Sequence, residues 1–385
     1  MNTLGESRCK SAAVLLIQML LASSVTHAQM QVRSGVRADG MGGAYVAVST
    51  DVNALQFAAA GLLNSFHTWQ AQAGFHRLYF GRDFTYSTVG LVRNFLDTDS
   101  SKDKMRPRLF EPIIASADGA VLARPAPAPA QFADTTRVRY TIGGQIYNLS
   151  FPGQRQTTAL LSVGAGFLPI RDSLMPNDEF PGHVANRLAV AVTGRYVNSG
   201  YDEGYLLDAN EVNDAGELAG IERFLNANSV DVSAVALDAS LALYLSHKLQ
   251  VGVSILNLLQ PNLAAKSKET GAQVNSGQFA RRWRAGVAYR FLPNLITAVD
   301  VEKNPDAEAL VKDVNVYAGA EYLWHNPYLP LALRSGANGN WISGGLGLHL
   351  ARVIGQNLTI NYVYQHSLHE QGFNNSRFAL DFGIR

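Results

Sequence analysis

Thiol chemistry is all but missing from this chain. Its single cysteine, Cys9, precedes the first apolar stretch, so the remainder of the chain can form no disulfide, no cysteine-based zinc site and no cysteine nucleophile. Charge is scarce as well: Asp, Glu, Lys and Arg make up 16% of the residues, against about 25% in ordinary soluble domains. The two signs nearly cancel, 32 Lys+Arg against 31 Asp+Glu, which leaves no basic footprint and excludes nucleic acid as a partner. Past residue 28 no stretch approaches the about 18 consecutive apolar residues of a membrane-crossing helix. Enzyme signatures are missing too: there is no His-Glu-x-x-His among nine His, no Gly-x-Ser-x-Gly and no phosphate loop. Neither a catalytic set, a metal nor a cofactor is expected. The run Asp208-Ala209-Asn210-Glu211-Val212 only partly imitates a calcium loop, because Val holds its fifth position and the glycine is displaced to Gly216. What the chain does hold is 47% hydrophobic residues, 34 Gly, 17 Phe and 15 Tyr. That composition excludes a disordered chain and points to many turns and extended segments.

Arg8 and Lys10 lead into the apolar stretch Ala12 to Ala22, which ends in Ser23-Ser24-Val25-Thr26-His27-Ala28. A charged start, a short apolar run and a small final residue predict a secretory signal removed after Ala28, and therefore export.

Beyond it the hydrophobic period is two. Trp283, Ala285, Val287, Tyr289 and Phe291 alternate with Arg282, Arg284, Gly286, Ala288 and Arg290. Val314, Val316, Ala318, Ala320, Tyr322 and Trp324 alternate with Asp313, Asn315, Tyr317, Gly319 and Glu321; Leu358, Ile360, Tyr362 and Tyr364 with Asn357, Thr359, Asn361 and Gln365. Phe378, Leu380, Phe382 and Ile384 alternate with Arg377, Ala379, Asp381 and Gly383. Runs of this kind begin near residues 66, 84, 137, 157, 186, 230, 249, 280, 294, 312, 329, 341, 357 and 376. They predict about 14 strands, each near the 9–11 residues a tilted membrane strand needs.

Short connections fall at Leu292-Pro293, His325-Asn326-Pro327, Gly339 and around His247; long ones cover 96–136, 169–184, 199–228 and 260–279. Transmembrane barrels place short turns on the periplasmic side and longer loops outside, so the long connections are expected to share the outer end. Within the first, Arg124-Pro125-Ala126-Pro127-Ala128-Pro129-Ala130 reads as a stiff, solvated spacer. A soluble β-sandwich also alternates, but it turns its aromatics inward. Here Tyr, Trp and Phe stand near strand ends on the apolar face, at Tyr289/Phe291 and Tyr322/Trp324, as in the interface girdles of a lipid-facing barrel. The expected class is all-β, a 14-stranded antiparallel transmembrane barrel.

Residues 35 to 62 carry a family resemblance. Gly35, Arg37, Ala38, Gly40, Met41, Gly42, Gly43, Ala44 and Tyr45, then Asp51 and Ala54, and finally Ala60, Gly61 and Leu62 keep one order of motifs. That order resembles the opening of the FadL-like outer-membrane proteins, particularly the PorV/PorQ branch; Ala58 and Ala59 stand where that family has Asn-Pro. Shorter matches continue, including Val251 to Asn257, Ala318-Gly319-Ala320-Glu321-Tyr322 and Leu333-Arg334-Ser335-Gly336. The resemblance implies a monomeric barrel of 14 strands with its N-terminal segment folded inside as a plug. The division is then a signal peptide over 1–28, a plug or hatch over 29–64 and a barrel over 65–385. Plug residues are Arg37, Gly40, Met41, Gly42, Gly43, Tyr45 and Asp51. The glycines allow positive φ and close approach to a wall. A nucleotide loop is excluded, because Gly40, Gly42 and Gly43 do not come after a strand. The final Phe382-Gly383-Ile384-Arg385 departs from the terminal aromatic that the outer-membrane assembly machinery commonly reads.

The polar faces place Arg282, Arg284, Arg290, Asp300, Glu302, Asp313 and Glu321 toward the lumen, since a cation on the lipid face costs about 2–4 kcal/mol. A hairpin around Leu292-Pro293 sets Arg284 opposite Asp300 or Glu302, which favours wall-tying pairs over an ion-selective constriction. The resemblance implies two function classes. One is a plugged outer-membrane channel for hydrophobic small molecules, with Met41, Tyr45 and Val46 near the route. The other is a protein-binding component of type IX secretion that receives secreted cargo. Both imply outer-membrane lipid as surroundings.

Overall fold

The computed structural model describes residues 33–65, 67–78, 84–95, 138–151, 154–171, 184–201, 228–229, 231–246, 248–264, 266–271, 273, 278–303, 314–324, 329–350, 357–368 and 375–384. The expected signal peptide with its cleavage after Ala28, the spacer at 124–130, the acidic run at 208–216, Asp313 and Arg385 lie outside these residues.

Fourteen strands close into one antiparallel barrel. They are β1 Trp69–Leu78, β2 Phe84–Phe95, β3 Arg139–Phe151, β4 Gln154–Arg171, β5 Val184–Tyr201, β6 Val232–Tyr244 and β7 Leu249–Leu256. After them come β8 Arg282–Leu292, β9 Leu295–Lys303, β10 Val314–Trp324, β11 Leu331–Asn338, β12 Trp341–His349, β13 Asn357–Ser367 and β14 Asn375–Ile384. Each strand pairs with its chain neighbours, and β14 returns to β1 in a register running from Trp69 opposite Ile384 to Leu78 opposite Asn375. Closure leaves no row of unpaired backbone groups, which is what allows a sheet to sit in hydrocarbon.

The alternation of the sequence becomes two faces. Val89, Leu91, Ile146, Leu161, Val163, Val235, Val287, Val299 and Val316 are exposed on the outside, while Gln145, Thr158, Ser162, Thr193, Asp238, Ser254 and Arg284 are buried within. Where the chain enters β1, the Arg93 guanidinium lies 4.8 Å from the Trp69 ring centroid and 4.6 Å from that of Phe95. A cation with its stem along aromatics is suited to a membrane–water boundary.

The connections depart from expectation. Neighbouring strands run in opposite directions, so the end at which a connection emerges is set by strand parity, not by length. The connections over 96–138 and 172–183 leave β2 and β4, whereas those over 202–231 and 257–281 leave β5 and β7. Only β5 separates 172–183 from 202–231, so the two must lie at opposite ends. The long connections are therefore divided between the entry end, where β1 begins, and the far end.

Inside the wall lies the segment that precedes β1. It forms a short helix α1 over Val36–Gly40, a single turn α2 over Ala54–Phe57 and a 3-10 turn over Ala59–Asn64. Helix α1 packs on the inner faces of β11 to β14, and the 3-10 turn on those of β3 to β6. At the far end the described residues of the 257–281 connection fold inward. Its Leu263 and Phe279 are buried against Val197 of β5 with Val232 and Ala234 of β6, and Lys266–Ser267 pairs with Asn228–Ser229.

Candidate functional site

Between residues 40 and 46 the N-terminal segment runs against bare backbone of the wall. Gly42 and Gly43 take φ of 64° and 94°, a region in which side chains are strained. The Gly42 N–H donates to Ser343 Oγ at 3.0 Å, and Asn338 Nδ2 donates to the Gly42 carbonyl at 3.0 Å. Gly336 on β11 faces this stretch; a Cβ there would collide with the backbone of Met41 and Gly42. Met41 is fully buried, and Gly40 lies against Arg334 and Gly345.

Wall carboxylates fasten the same stretch. Glu321 on β10 accepts from Arg37 at two oxygens, Nε at 2.9 Å and Nη2 at 2.8 Å, and from Arg334 Nε of β11 at 2.6 Å. Arg334 Nη1 in turn donates to Asn361 Oδ1 at 2.7 Å. The second Arg37 branch reaches Thr50 Oγ1 at 3.0 Å and Asp51 at 3.6 Å. Asp300 on β9 accepts the backbone N–H of Tyr45 at 2.8 Å and of Val46 at 2.9 Å, together with Arg284 Nε at 3.1 Å. Arg284 also donates to the Gly43 carbonyl and stands 4.1 Å from the Tyr317 ring centroid. Tyr45 meets Phe57 edge to face at 5.2 Å, and burial pushes its phenol up, which keeps it neutral. A third wall carboxylate, Asp238 on β6, pairs with Arg195 of β5 and accepts the backbone N–H of Asn257 at 2.8 Å. It thereby fixes the start of the inward-folded 257–281 connection, where Asn257 has φ 55°.

At the far end lies a cavity of about 190 Å³, lined by Arg33, Asp39, Phe57, Arg282, Arg284, Glu302, Tyr317 and Trp341 among others. Glu302 lies 3.5 Å from Arg33, 3.7 Å from Arg282 and 3.6 Å from Arg284. Burial pushes the Arg33 guanidinium down to about 10; Glu302 opposes the shift, while Arg282 and Arg284 add to it. At neutral pH it remains charged.

Of the residues singled out from sequence, Arg37, Gly40, Met41, Gly42, Gly43, Tyr45 and Asp51 lie within the inner segment, and Arg284 reaches both Asp300 and Glu302. Glu321 does not join them: it belongs to Arg37 and Arg334. Arg290, half-buried near the other end of β8, is not among the residues lining the cavity. Sequence reading misses Arg33, Asp39, Phe57 and Trp341. It also misses Ser34, whose hydroxyl lies 2.8 Å from His76 Nδ1 of β1 and 3.2 Å from Asp39. Among the described residues no group of three or more His, Cys, Asp or Glu could hold a metal.

No family model matches the chain, and no curated protein does. Solved structures do. The Pseudomonas putida toluene transporter TodX aligns with a TM-score of 0.50 at 11% identity, over 90% of this chain and 96% of that one. The Ralstonia pickettii toluene transporter TbuX aligns at 0.48 and 12%, over 91% and 98%. At such identity the likeness speaks for the fold alone. By fold, this chain is a closed antiparallel β-barrel of fourteen strands, similar to that of TodX.

Proposed function

We propose that this protein is an outer-membrane channel for small molecules with a hydrophobic or aromatic body, plugged at rest by residues 29–64. The observation that carries the reading is the far-end cavity, bounded on one side by the inner segment at Arg33, Asp39, Gly43 and Phe57 and on the other by the wall at Arg284, Tyr317 and Trp341. A molecule entering from that end meets aromatic surface first and the plug next. The fold shared with TodX supports the reading without naming the substrate. The chain is exported through a signal peptide cleaved after Ala28 and acts as a monomer delivered by the outer-membrane assembly machinery. The test is uptake of labelled monoaromatic and long-chain probes by cells with and without the gene; equal uptake of every probe would end the proposal.

A second reading, a PorV-like cargo-binding component of type IX secretion, rests on the motif from Gly35 to Tyr45. In the structure Arg37, Gly42 and Gly43 of that motif hold the inner segment to the wall, a task either function requires. Type IX cargo carries a C-terminal sorting domain, so a source proteome devoid of such domains rules this reading out.

A further inference from the structure

Arg33 is buried, with a side chain 8% exposed, yet its Nε, Nη1 and Nη2 make no hydrogen bond among the described residues. Guanidinium groups present five N–H donors, and leaving them unmet in a buried place costs the desolvation they have already undergone. The neighbours do not remedy this. Glu302 is shared by three guanidinia, none closer than 3.5 Å, which is charge contact without hydrogen bonding. Arg284 is already engaged by Asp300 and the Gly43 carbonyl. Asp39, the other acidic group on the cavity, accepts from Ser34 Oγ and the Gly35 N–H. Open donors therefore remain on Arg33, and Arg282 stands beside it with a quarter of its side chain exposed.

We propose that the cavity binds a small aromatic carboxylate, its oxygens on Arg33 and Arg282 and its ring against Phe57, Tyr317 and Trp341. Planar guanidinium groups match a carboxylate with two parallel hydrogen bonds, whereas a neutral hydrocarbon would leave every donor unmet. The volume of about 190 Å³ lies below the about 300–1,000 Å³ of drug-sized sites, which restricts the body to a single ring or a short chain. The inference rests on the small-molecule reading above and narrows its substrate from hydrophobic molecules to acids with a hydrophobic body.

Trp341 lines the cavity and supplies the signal. The full barrel, folded in detergent, is titrated with benzoate and, separately, with benzyl alcohol, reading tryptophan fluorescence. Benzoate is expected to give a saturable change that Arg33→Gln and Arg282→Gln each weaken about tenfold, while the weaker response to benzyl alcohol stays unchanged. Should Arg33→Gln fail to fold, as judged by heat-modifiable gel mobility, Arg282→Gln alone decides. Equal affinity for the two probes, or benzoate binding untouched in the folded variants, overturns the inference. Uptake separates the two proposals: transport of neutral aromatics without benzoate binding keeps the channel and removes the acid site, and benzoate binding without any uptake does the reverse.

Discussion

Residues 52–63 and residues 33–47 belong to one continuous segment, yet they are fastened to the wall by different physics. The later stretch is held by oil: Val52, Leu55, Leu62 and Leu63 pack with Tyr86, Val92, Tyr147, Leu149 and Leu160 of β2 to β4. The earlier stretch also packs, Met41, Tyr45 and Val48 against Ala288 and Ala298, but it adds direction: carboxylates of β9 and β10 catch its backbone N–H groups and its arginine. Apolar packing is non-directional and tolerates small shifts, whereas a buried hydrogen-bonded charge fixes position to within a fraction of an ångström and is costly when half of it is lost. The cavity borders chiefly the directional part, at Arg33, Asp39 and Gly43, and takes one ring, Phe57, from the later stretch. A binding site needs fixed donors, and the oily part supplies anchorage without geometry.

Four substitutions break or sharpen this contrast. Asp300→Ala strands the buried Arg284 and frees the Tyr45 and Val46 N–H groups, so it should cost about 3–5 kcal/mol and show the largest drop in the temperature at which the folded gel band shifts. In the oily half, Leu62→Ala should lose about 3 kcal/mol while leaving benzoate titrations unaltered; a loss of binding there would mean that the two halves are not separable. Gly336→Ala sets a methyl into the backbone of Met41 and Gly42, at about 1–3 kcal/mol, and displacement of the segment should appear as raised single-channel conductance in planar bilayers. Arg93→Ala removes only a boundary contact with Trp69 and Phe95; about 0.5–1 kcal/mol in urea unfolding is expected, and a larger loss would mean that the outer face contributes as much as the lumen.

The reach of the sequence divides along the same line. Strands are readable because a pleated wall between lipid and lumen must alternate, and every strand of the barrel begins within three residues of where the alternation places it. The side on which a loop emerges is not readable in this way, since length says nothing of parity. Gly336 looks in sequence like a weak strand residue, and only the inner segment pressed against it explains the absence of a Cβ. The cavity is illegible for a related reason: only Arg282 and Glu302 share a readable hairpin, while Arg33, Phe57 and Trp341 come from separate parts of the chain that no local period links to it. Arg33 stands two residues ahead of the glycine-rich motif and carries no signal of its own.

The seam between Trp69 and Ile384 has a consequence for assembly. The wall cannot close until β14 arrives beside β1, and the partners of α1 lie on β11 to β14, the strands nearest the end of the chain. Contacts of such sequence separation carry a large loop-closure entropy and form late. Topology therefore predicts that Arg37 and its neighbours are enclosed as the sheet curls shut, after ten strands have lined up, rather than threaded in afterwards. The inner segment ahead of β1 is thus expected to order late, with seam closure and the setting of the segment as a single event.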